Sequence, residues 1–364
     1  MSSRPVVVKI GTSSITDDEG AISRAAVARL CADVAQVRQA RPVVIVTSGA
    51  IAAGLPSLEL DARPRDPVTL QAASAVGQIG LLGAYQRELA GHGLVAGQLL
   101  LAPLDFVVRS QYLHARNTLR RLLELGVVPV INENDAIADD EIRFGDNDRL
   151  AALVAHLADA ETLVLLTDTE GVLTADPRVD TTASLIEEIV EFDQQLEGLA
   201  GGAGTARGSG GMASKLTAAK IAAWTGVRTV IASASRPAVL VSAVAGEAGV
   251  GTVVVPRSER LSARKLWIAF AVGSKGRVEV DAGARRALVD SGRSLLAAGV
   301  RAVTGDFDAG DAVEVVDGDG GVFAKGLVRH PSREVEALAG KRSQDLPDGA
   351  PSVVIHRDDL VMLP

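Results

Sequence analysis

The sequence is poor in cysteine and in aromatic residues. Cys31 is the only cysteine among 364 residues, which excludes an intrachain disulfide and a zinc site built from cysteines. Phe, Trp and Tyr together make up 3% of the chain, so its apolar content of 47% comes mainly from Ala, Val, Leu and Ile. That composition suits helices packed on a parallel sheet.

Long apolar runs are also missing. No apolar stretch reaches the roughly 20 residues that span a bilayer, and Lys9 interrupts the first apolar segment where the core of a signal peptide would continue. We therefore expect a cytoplasmic protein with no membrane partner. The formal net charge of -8 at pH 7 argues against nucleic acid as the main partner.

A third absence concerns phosphate binding, because none of the Gly-rich segments has the P-loop pattern of Gly, four residues, Gly-Lys-Ser/Thr. Another segment can take its place. The stretch from Gly208 to Lys215 is rich in glycine and serine and leads directly into a predicted helix. Glycine lets backbone N–H groups approach an anion, and a helix N-terminus favours negative charge. A flexible surface loop with a solvated lysine is the alternative.

Short β-branched runs alternate with longer Ala/Leu-rich segments over the first two thirds of the chain, as is typical of βαβ units. We predict strands at Pro5–Ile10, Pro42–Thr47, Leu94–Leu101, Val127–Ile131, Thr162–Thr167, Val227–Ala232 and Thr252–Val255. Helices are predicted at Arg24–Gln39, Thr69–Ala90, Tyr112–Leu125, Asp148–Leu157 and Met212–Thr225. The predicted fold class is α/β, with an open, mostly parallel sheet sandwiched by helices.

The pattern changes at the polar segment Pro256–Arg260. We predict an α/β domain over residues 1–258, a linker over 259–274 and a small β-rich barrel over 275–364. Short strand-like runs broken by Gly/Asp turns support the barrel: Val278–Val280, Ala312–Val316, Gly321–Leu327 and Val353–His356.

Polar residues follow four of the predicted strands, at Lys9–Ser13, Thr47–Ala50, Asn132–Asp135 and Thr167–Asp168. Ligands of parallel sheets bind outside the carboxyl ends of the strands, so these residues are expected to share one site. Asp135 has the charge to pair with the amino group of an amino acid, and Asn147 could hydrogen-bond its carboxylate. Helix capping by Asp146 or Asp148, on either side of Asn147, is a competing explanation for part of this polar segment.

The order and spacing of these segments resemble the amino acid kinase family. The resemblance is carried by Lys9-Ile10-Gly11-Thr12-Ser13, Val46-Thr47-Ser48-Gly49-Ala50-Ile51, Val130-Ile131-Asn132-Glu133-Asn134-Asp135, Gly145-Asp146-Asn147-Asp148, Leu166-Thr167-Asp168, Thr174-Ala175-Asp176-Pro177 and Gly210-Gly211-Met212 with Lys215. The C-terminal part resembles the PUA module that many of these kinases carry.

The resemblance implies a kinase that transfers phosphate from ATP to the side-chain carboxylate of L-glutamate, in the first step of proline biosynthesis. It implies glutamate binding by Ser48, Asp135 and Asn147. It implies ATP binding by Lys9, Thr167, Asp168, Ser209, Gly210, Gly211, Met212, Ala213, Ser214 and Lys215. Lys9 and Lys215 would flank the transferred group, and Asp148 would orient them.

A carboxylate acceptor suits these residues, because its reference pKa of roughly 4.3 leaves it ionised at neutral pH without a general base. The difficulty is to bring it against a triphosphate, which calls for positive charge. Two lysines supply part of that charge. We expect Mg2+ to be bound through the ATP phosphates and predict no protein ligand for it.

Several alternatives stay open at this point. The acceptor could be acetylglutamate, aspartate or carbamate, or the chain could bind RNA through a patch of Arg285, Arg286, Arg329 and Arg333 in the C-terminal domain. The resemblance further implies feedback inhibition by proline. A homo-oligomer is expected, and the glycines Gly77, Gly80 and Gly83, three apart on one helix, could form its interface or pack internally.

Overall fold

The computed structural model describes residues 3–17, 19–137, 147–175, 179–192, 196, 211–257, 261–342, 345 and 352–363. The chain divides into two compact units, residues 1–260 and 261–364. In the part of the chain that is described, no helix is long and apolar enough to cross a membrane.

The first unit alternates strands and helices. Its strands are β1 (Val6–Ile10), β2 (Val43–Thr47), β3 (Ala96–Leu101), β4 (Val128–Glu133), β5 (Thr162–Thr167), β6 (Glu188–Ile189), β7 (Arg228–Ser233) and β8 (Gly251–Val254). Its α-helices are α1 (Thr12–Ile15), α2 (Arg24–Arg38), α3 (Ala50–Gly54), α4 (Pro67–Gly91), α5 (Leu104–Val107), α6 (Arg109–Glu124), α7 (Asn147–Leu157), α8 (Met212–Trp224) and α9 (Val239–Ala245). All strands and helices predicted for this region are present, with ends that differ by a few residues.

The eight strands form one sheet in the order β3-β4-β2-β1-β5-β7-β8-β6. Neighbours run parallel except β7 and β8, which are antiparallel. The chain passes from β1 to β2 on one side and later returns to β5 on the other side of β1. The loops after β1 and β5 therefore diverge and leave a crevice at the carboxyl ends of these strands. The predicted mostly parallel sheet is confirmed.

Side-chain alternation along β1 decides where its lysine points. Val6, Val8 and Ile10 belong to the apolar core that β1 shares with α2, α4 and α9. Successive side chains of a strand lie on opposite faces, so Lys9 lies on the other face. Helix α7 packs on that face and carries the carboxylate that Lys9 contacts. The position of one lysine therefore follows from the two-residue period of a buried strand.

Helices α3 and α4 cross with their backbones in contact. A Cβ atom added at Gly77 would lie 1.8 Å from the carbonyl oxygen of Ala50, and one at Gly54 would lie 1.9 Å from that of Ala73. No side chain fits at either position. Gly77 therefore packs inside the unit, whereas a Cβ at Gly80 would meet nothing within 4 Å.

The second unit is built on a six-stranded sheet in the order β10-β14-β13-β12-β9-β11. Its strands are β9 (Ser274–Val280), β10 (Leu295–Leu296), β11 (Val300–Gly305), β12 (Ala312–Val316), β13 (Val322–Val328) and β14 (Val353–Met362), and its α-helices are α10 (Ala263–Leu266), α11 (Ala282–Ser291) and α12 (Ser332–Leu338). The sheet curls around an apolar core that includes Val278, Val315 and Ile355. The predicted β-rich character of this region is confirmed.

Candidate active site

One buried carboxylate lies between two buried lysines. Asp148 is fully buried, with Oδ1 2.6 Å from Lys9 Nζ and Oδ2 3.1 Å from Lys215 Nζ. Ser214 Oγ donates a hydrogen bond to Oδ2 at 2.7 Å. The lysine side chains are only 4% and 7% exposed. The three charged side chains are therefore shielded from water together. Two positive charges and one negative charge give the cluster a net charge of +1.

The two lysines determine the charge state of Asp148. Burial by itself raises the pKa of this carboxyl group. The positive charges of Lys9 and Lys215, with hydrogen bonds from Lys9 and Ser214, outweigh burial and lower the pKa to about 2. Asp148 is therefore ionised at neutral pH and holds both ammonium groups in place.

Each member of this cluster comes from the end of a regular element. Lys9 lies near the carboxyl end of β1, and a Cβ atom at the following Gly11 would lie 3.3 Å from its Nζ. Asp148 lies in the first turn of α7, where a negative side chain is favoured by the helix dipole. Gly211 precedes α8, and Lys215 lies in its first turns. Strand and helix ends thus place the three charges together.

A second group of polar side chains surrounds Asn147. Its Nδ2 atom donates to Ser48 Oγ at 2.9 Å, to the carbonyl oxygen of Thr47 at 2.9 Å and to Asn132 Oδ1 at 2.8 Å. Its Oδ1 atom is buried and has no hydrogen-bond partner among the described residues. The protein itself therefore engages the donor side of this amide, and its acceptor oxygen is enclosed. The predicted contact of Asn147 with a carboxylate stays a prediction.

Asp135 lies just beyond β4, in a 3-10 turn at Asp135–Ile137. Its Oδ2 atom accepts a hydrogen bond from Ser74 Oγ at 2.7 Å. Ser74 belongs to α4 and is 1% exposed, whereas Asp135 is half-buried. The carboxylate is therefore fixed from one side by the helix.

The predicted nucleotide residues lie at the end of β5, next to β1. Thr167 is buried, and its hydroxyl donates to Oδ1 of the exposed Asp168 at 3.0 Å. On the neighbouring helix α8, Met212 and Ala213 form the first turn. The predicted nucleotide ligands Ser209 and Gly210 lie outside the described residues.

Two contributors, Ser74 and Tyr85, were not predicted as site residues, and Thr47 and Asn132 were predicted only as members of polar segments at strand ends. Tyr85 is fully buried, and its hydroxyl lies 2.8 Å from Thr47 Oγ1. One signal for two of them was present in the sequence. Ser74 and Tyr85 are hydroxyl residues eleven positions apart in a largely apolar helix, and at 3.6 residues per turn they share one face.

The order of the strands arranges these groups across the sheet edge. The carboxyl ends of β4 and β2 hold Asp135, Asn132 and Ser48, that of β1 holds Lys9, and that of β5 holds Thr167. The buried lysine cluster thus lies between the polar side chains around Asn147 and the residues at the end of β5 that were predicted to bind the nucleotide. Such an edge can hold two ligands with positive charge between them.

Comparison with known proteins shows the family to which the chain belongs. Residues 4–233 match the sequence model of the amino acid kinase family, and residues 276–349 match that of the PUA domain. The first match covers more than half of the chain, which therefore belongs to the amino acid kinase family.

Two curated relatives are similar over nearly their whole length. Glutamate 5-kinase of Pelobacter propionicus is 45% identical over 363 residues, which cover 98% of this chain and 97% of that protein. Glutamate 5-kinase of Myxococcus xanthus is 45% identical over 370 residues, which cover 100% of this chain and 97% of that protein.

Among solved structures, carbamate kinase from Giardia lamblia bound to AMP-PNP has a TM-score of 0.50 and 17% identity. The match covers 70% of this chain and 99% of that one. At this identity the likeness supports the fold alone.

Proposed function

We propose that this chain transfers the γ-phosphoryl group of ATP to the side-chain carboxylate of L-glutamate, giving L-glutamyl 5-phosphate and ADP. The observation that carries the proposal is the buried cluster of Lys9, Asp148 and Lys215, located between the polar side chains around Asn147 and the end of β5. The family membership and the names of the two relatives support it.

The acceptor pocket suits an α-amino acid. Asp135 supplies a negative charge, which favours an ammonium group. Ser48, in the turn before α3, supplies a hydroxyl next to Asn147. An acetylated nitrogen carries no charge for Asp135, which favours glutamate over acetylglutamate.

The chemistry needs no proton transfer. A carboxylate oxygen of glutamate forms a bond to the γ-phosphorus, and the bond from that phosphorus to the oxygen bridging it to the β-phosphorus breaks. Lys9 and Lys215, held by Asp148, reduce the repulsion between acceptor and triphosphate and stabilise the charge on the transferred group. Asp148 balances only one of the two positive charges, so a net charge of +1 is available to the phosphates.

We further propose that ATP is used as its Mg2+ complex, because the metal would neutralise charge on the phosphates. Within the described ranges, no group of three or more His, Cys, Asp or Glu side chains is arranged to hold a metal ion. Gly11, where a side chain would crowd Lys9 Nζ, leaves room for phosphate oxygens next to β1.

The proposal is tested by ATP-dependent formation of acyl hydroxamate when the purified protein is incubated with hydroxylamine and one acid at a time. Glutamate should give by far the highest kcat/KM, above acetylglutamate, aspartate and carbamate. Equal rates for these acids, or none with glutamate, would overturn the assignment. Asp135→Asn should lower kcat/KM for glutamate by roughly 10- to 100-fold, the value of one charged hydrogen bond.

Proline inhibition follows as a proposal from the same pocket. Proline carries an ammonium-type nitrogen and a carboxylate, so it would compete with glutamate for Asp135 and Asn147. Proline should raise the KM for glutamate without changing the maximal rate. We also propose that the chain forms a homo-oligomer and acts in the cytoplasm, which light scattering and cell fractionation would test.

Two of the four arginines predicted to bind RNA make contacts within the second unit, so the described residues do not favour RNA binding as a second function. In the predicted basic patch, Arg285 Nε lies 3.4 Å from Asp317 Oδ2, and its guanidinium lies over the ring of Phe323 at 5.2 Å. Arg286 Nε donates to the carbonyl oxygen of Ala282. An arginine paired with an acid offers less positive charge to a phosphate backbone.

A further inference from the structure

Helix α4 carries two buried hydroxyl groups that point toward the acceptor pocket. Ser74 and Tyr85 are 1% and 0% exposed, and they lie on the same face of the helix, about three turns apart. Each makes a side-chain hydrogen bond to a different wall of the pocket. A buried hydroxyl is costly without a partner, so these bonds are strongly held.

The first bond fixes the carboxylate of Asp135. Ser74 Oγ donates to Asp135 Oδ2 at 2.7 Å, a distance typical of a charge-assisted hydrogen bond. Asp135 is half-buried and lies in a 3-10 turn of only three residues. Ser74, on a 25-residue helix, is a rigid support for it.

The second bond fixes the turn that carries Ser48. Thr47 Oγ1 donates to the carbonyl oxygen of Ser48 at 3.0 Å. A hydroxyl has one proton, so Tyr85 must donate the hydrogen bond of 2.8 Å that joins its hydroxyl to Thr47 Oγ1. The resulting chain runs from Tyr85 through Thr47 to the Ser48–Gly49 peptide, where Gly49 has a φ of 99°.

We propose that Ser74 and Tyr85 are positioning residues for the amino-acid acceptor. Ser74 aligns Asp135 for the substrate's amino group, and Tyr85 aligns the Ser48 turn. The inference rests on the proposed function, since it assumes that this pocket binds glutamate. Both residues act through others and contact no reacting atom.

The test is steady-state kinetics of Ser74→Ala and Tyr85→Phe, with glutarate as a competitive inhibitor that has glutamate's two carboxylates and no amino group. Ser74→Ala should raise the KM for glutamate roughly tenfold, the value of one hydrogen bond to a charged group. It should leave kcat, the KM for ATP and the inhibition constant of glutarate unchanged. Tyr85→Phe should raise the glutamate KM and the glutarate inhibition constant together.

Matched controls are Ser110→Ala and Tyr112→Phe on α6, which remove the same groups at an exposed and a half-buried position. Neither should change any of these constants. If Ser74→Ala raised the glutarate constant as much as the glutamate KM, or changed neither, the positioning role would be refuted. If Tyr85→Phe does not fold, the kinetics of Ser74→Ala test the positioning role on their own. A wild-type protein inactive with glutamate would instead refute the proposed function and this inference with it.

Discussion

The excess of one positive charge in the buried cluster predicts opposite effects on stability for two substitutions. Lys215→Met removes one ammonium group and leaves Lys9 paired with Asp148, a balanced ion pair at 2.6 Å. Asp148→Asn removes the only anion of the three and leaves two buried ammonium groups without it. Lys215→Met should therefore leave the stability of the protein nearly unchanged, and Asp148→Asn should lower it.

The magnitudes follow from burial. Breaking a buried pair by removing one partner costs about 3–5 kcal/mol, because an uncompensated charge remains, and we expect at least this for Asp148→Asn. Methionine fills much of the volume of the lysine stem that it replaces. We therefore expect Lys215→Met to change the free energy of unfolding by no more than about 1 kcal/mol, because Asp148 stays paired with Lys9 and no uncompensated charge is left buried.

The assay is urea denaturation of both variants and wild type at pH 7.5 without nucleotide, followed by circular dichroism. A control is Lys220→Met on the same helix, whose side chain lies over the ring of Phe192 near the surface. Equal destabilisation by Lys215→Met and Asp148→Asn would refute the excess-charge account. So would an Asp148→Asn variant as stable as wild type.

Three further predictions concern stability. Gly77→Ala should unfold the protein or cost several kcal/mol in thermal melts, because its Cβ would lie 1.8 Å from the carbonyl oxygen of Ala50. Gly80→Ala adds a Cβ that meets nothing within 4 Å, so it should stabilise α4 by about 1 kcal/mol. Equal melting temperatures for the two variants would contradict this. Because folding lowers the pKa of Asp148 from 3.8 to about 2, its contribution to stability, about 2 kcal/mol, is complete above about pH 5 and is lost as the pH falls through 3.8 toward 2. Acid titration of wild type should show this slope, and Asp148→Asn should lack it. Asp33→Ala removes the carboxylate that accepts from the first turn of α9 at 3.0 Å, and it should cost about 1–2 kcal/mol by urea titration; an unchanged midpoint would contradict that capping role.

The sheet and the lysine cluster were largely predictable from sequence. Buried strands such as β1 and β5 are nearly continuous apolar runs in the sequence, and their polar ends lie at one edge of a parallel sheet. Lys9 stands out because it is a charge at the end of an apolar strand. Lys215 and Asp148 could be placed near helix starts, but only the family resemblance joined them to Lys9.

The supporting residues were less predictable. Ser74, Tyr85 and Thr47 act through hydrogen bonds between elements far apart in sequence, and no local period reports such a contact. Strand β4 also continues through Glu133, two residues beyond the predicted end, because its parallel pairing with β3 extends to Leu101. Pairing partners, rather than local propensity, set that boundary.

The central claim is that two buried lysines neutralise the charge that opposes transfer between ATP and a carboxylate. It is tested most directly by single-turnover transfer of labelled γ-phosphate from ATP to glutamate, at saturating concentrations of both, with wild type, Lys9→Met and Lys215→Met. The account predicts that each folded variant loses roughly 100- to 1,000-fold in rate, the usual effect of removing one such charge from a transition state. A folded variant of either lysine that transfers phosphate at nearly the wild-type rate would contradict it.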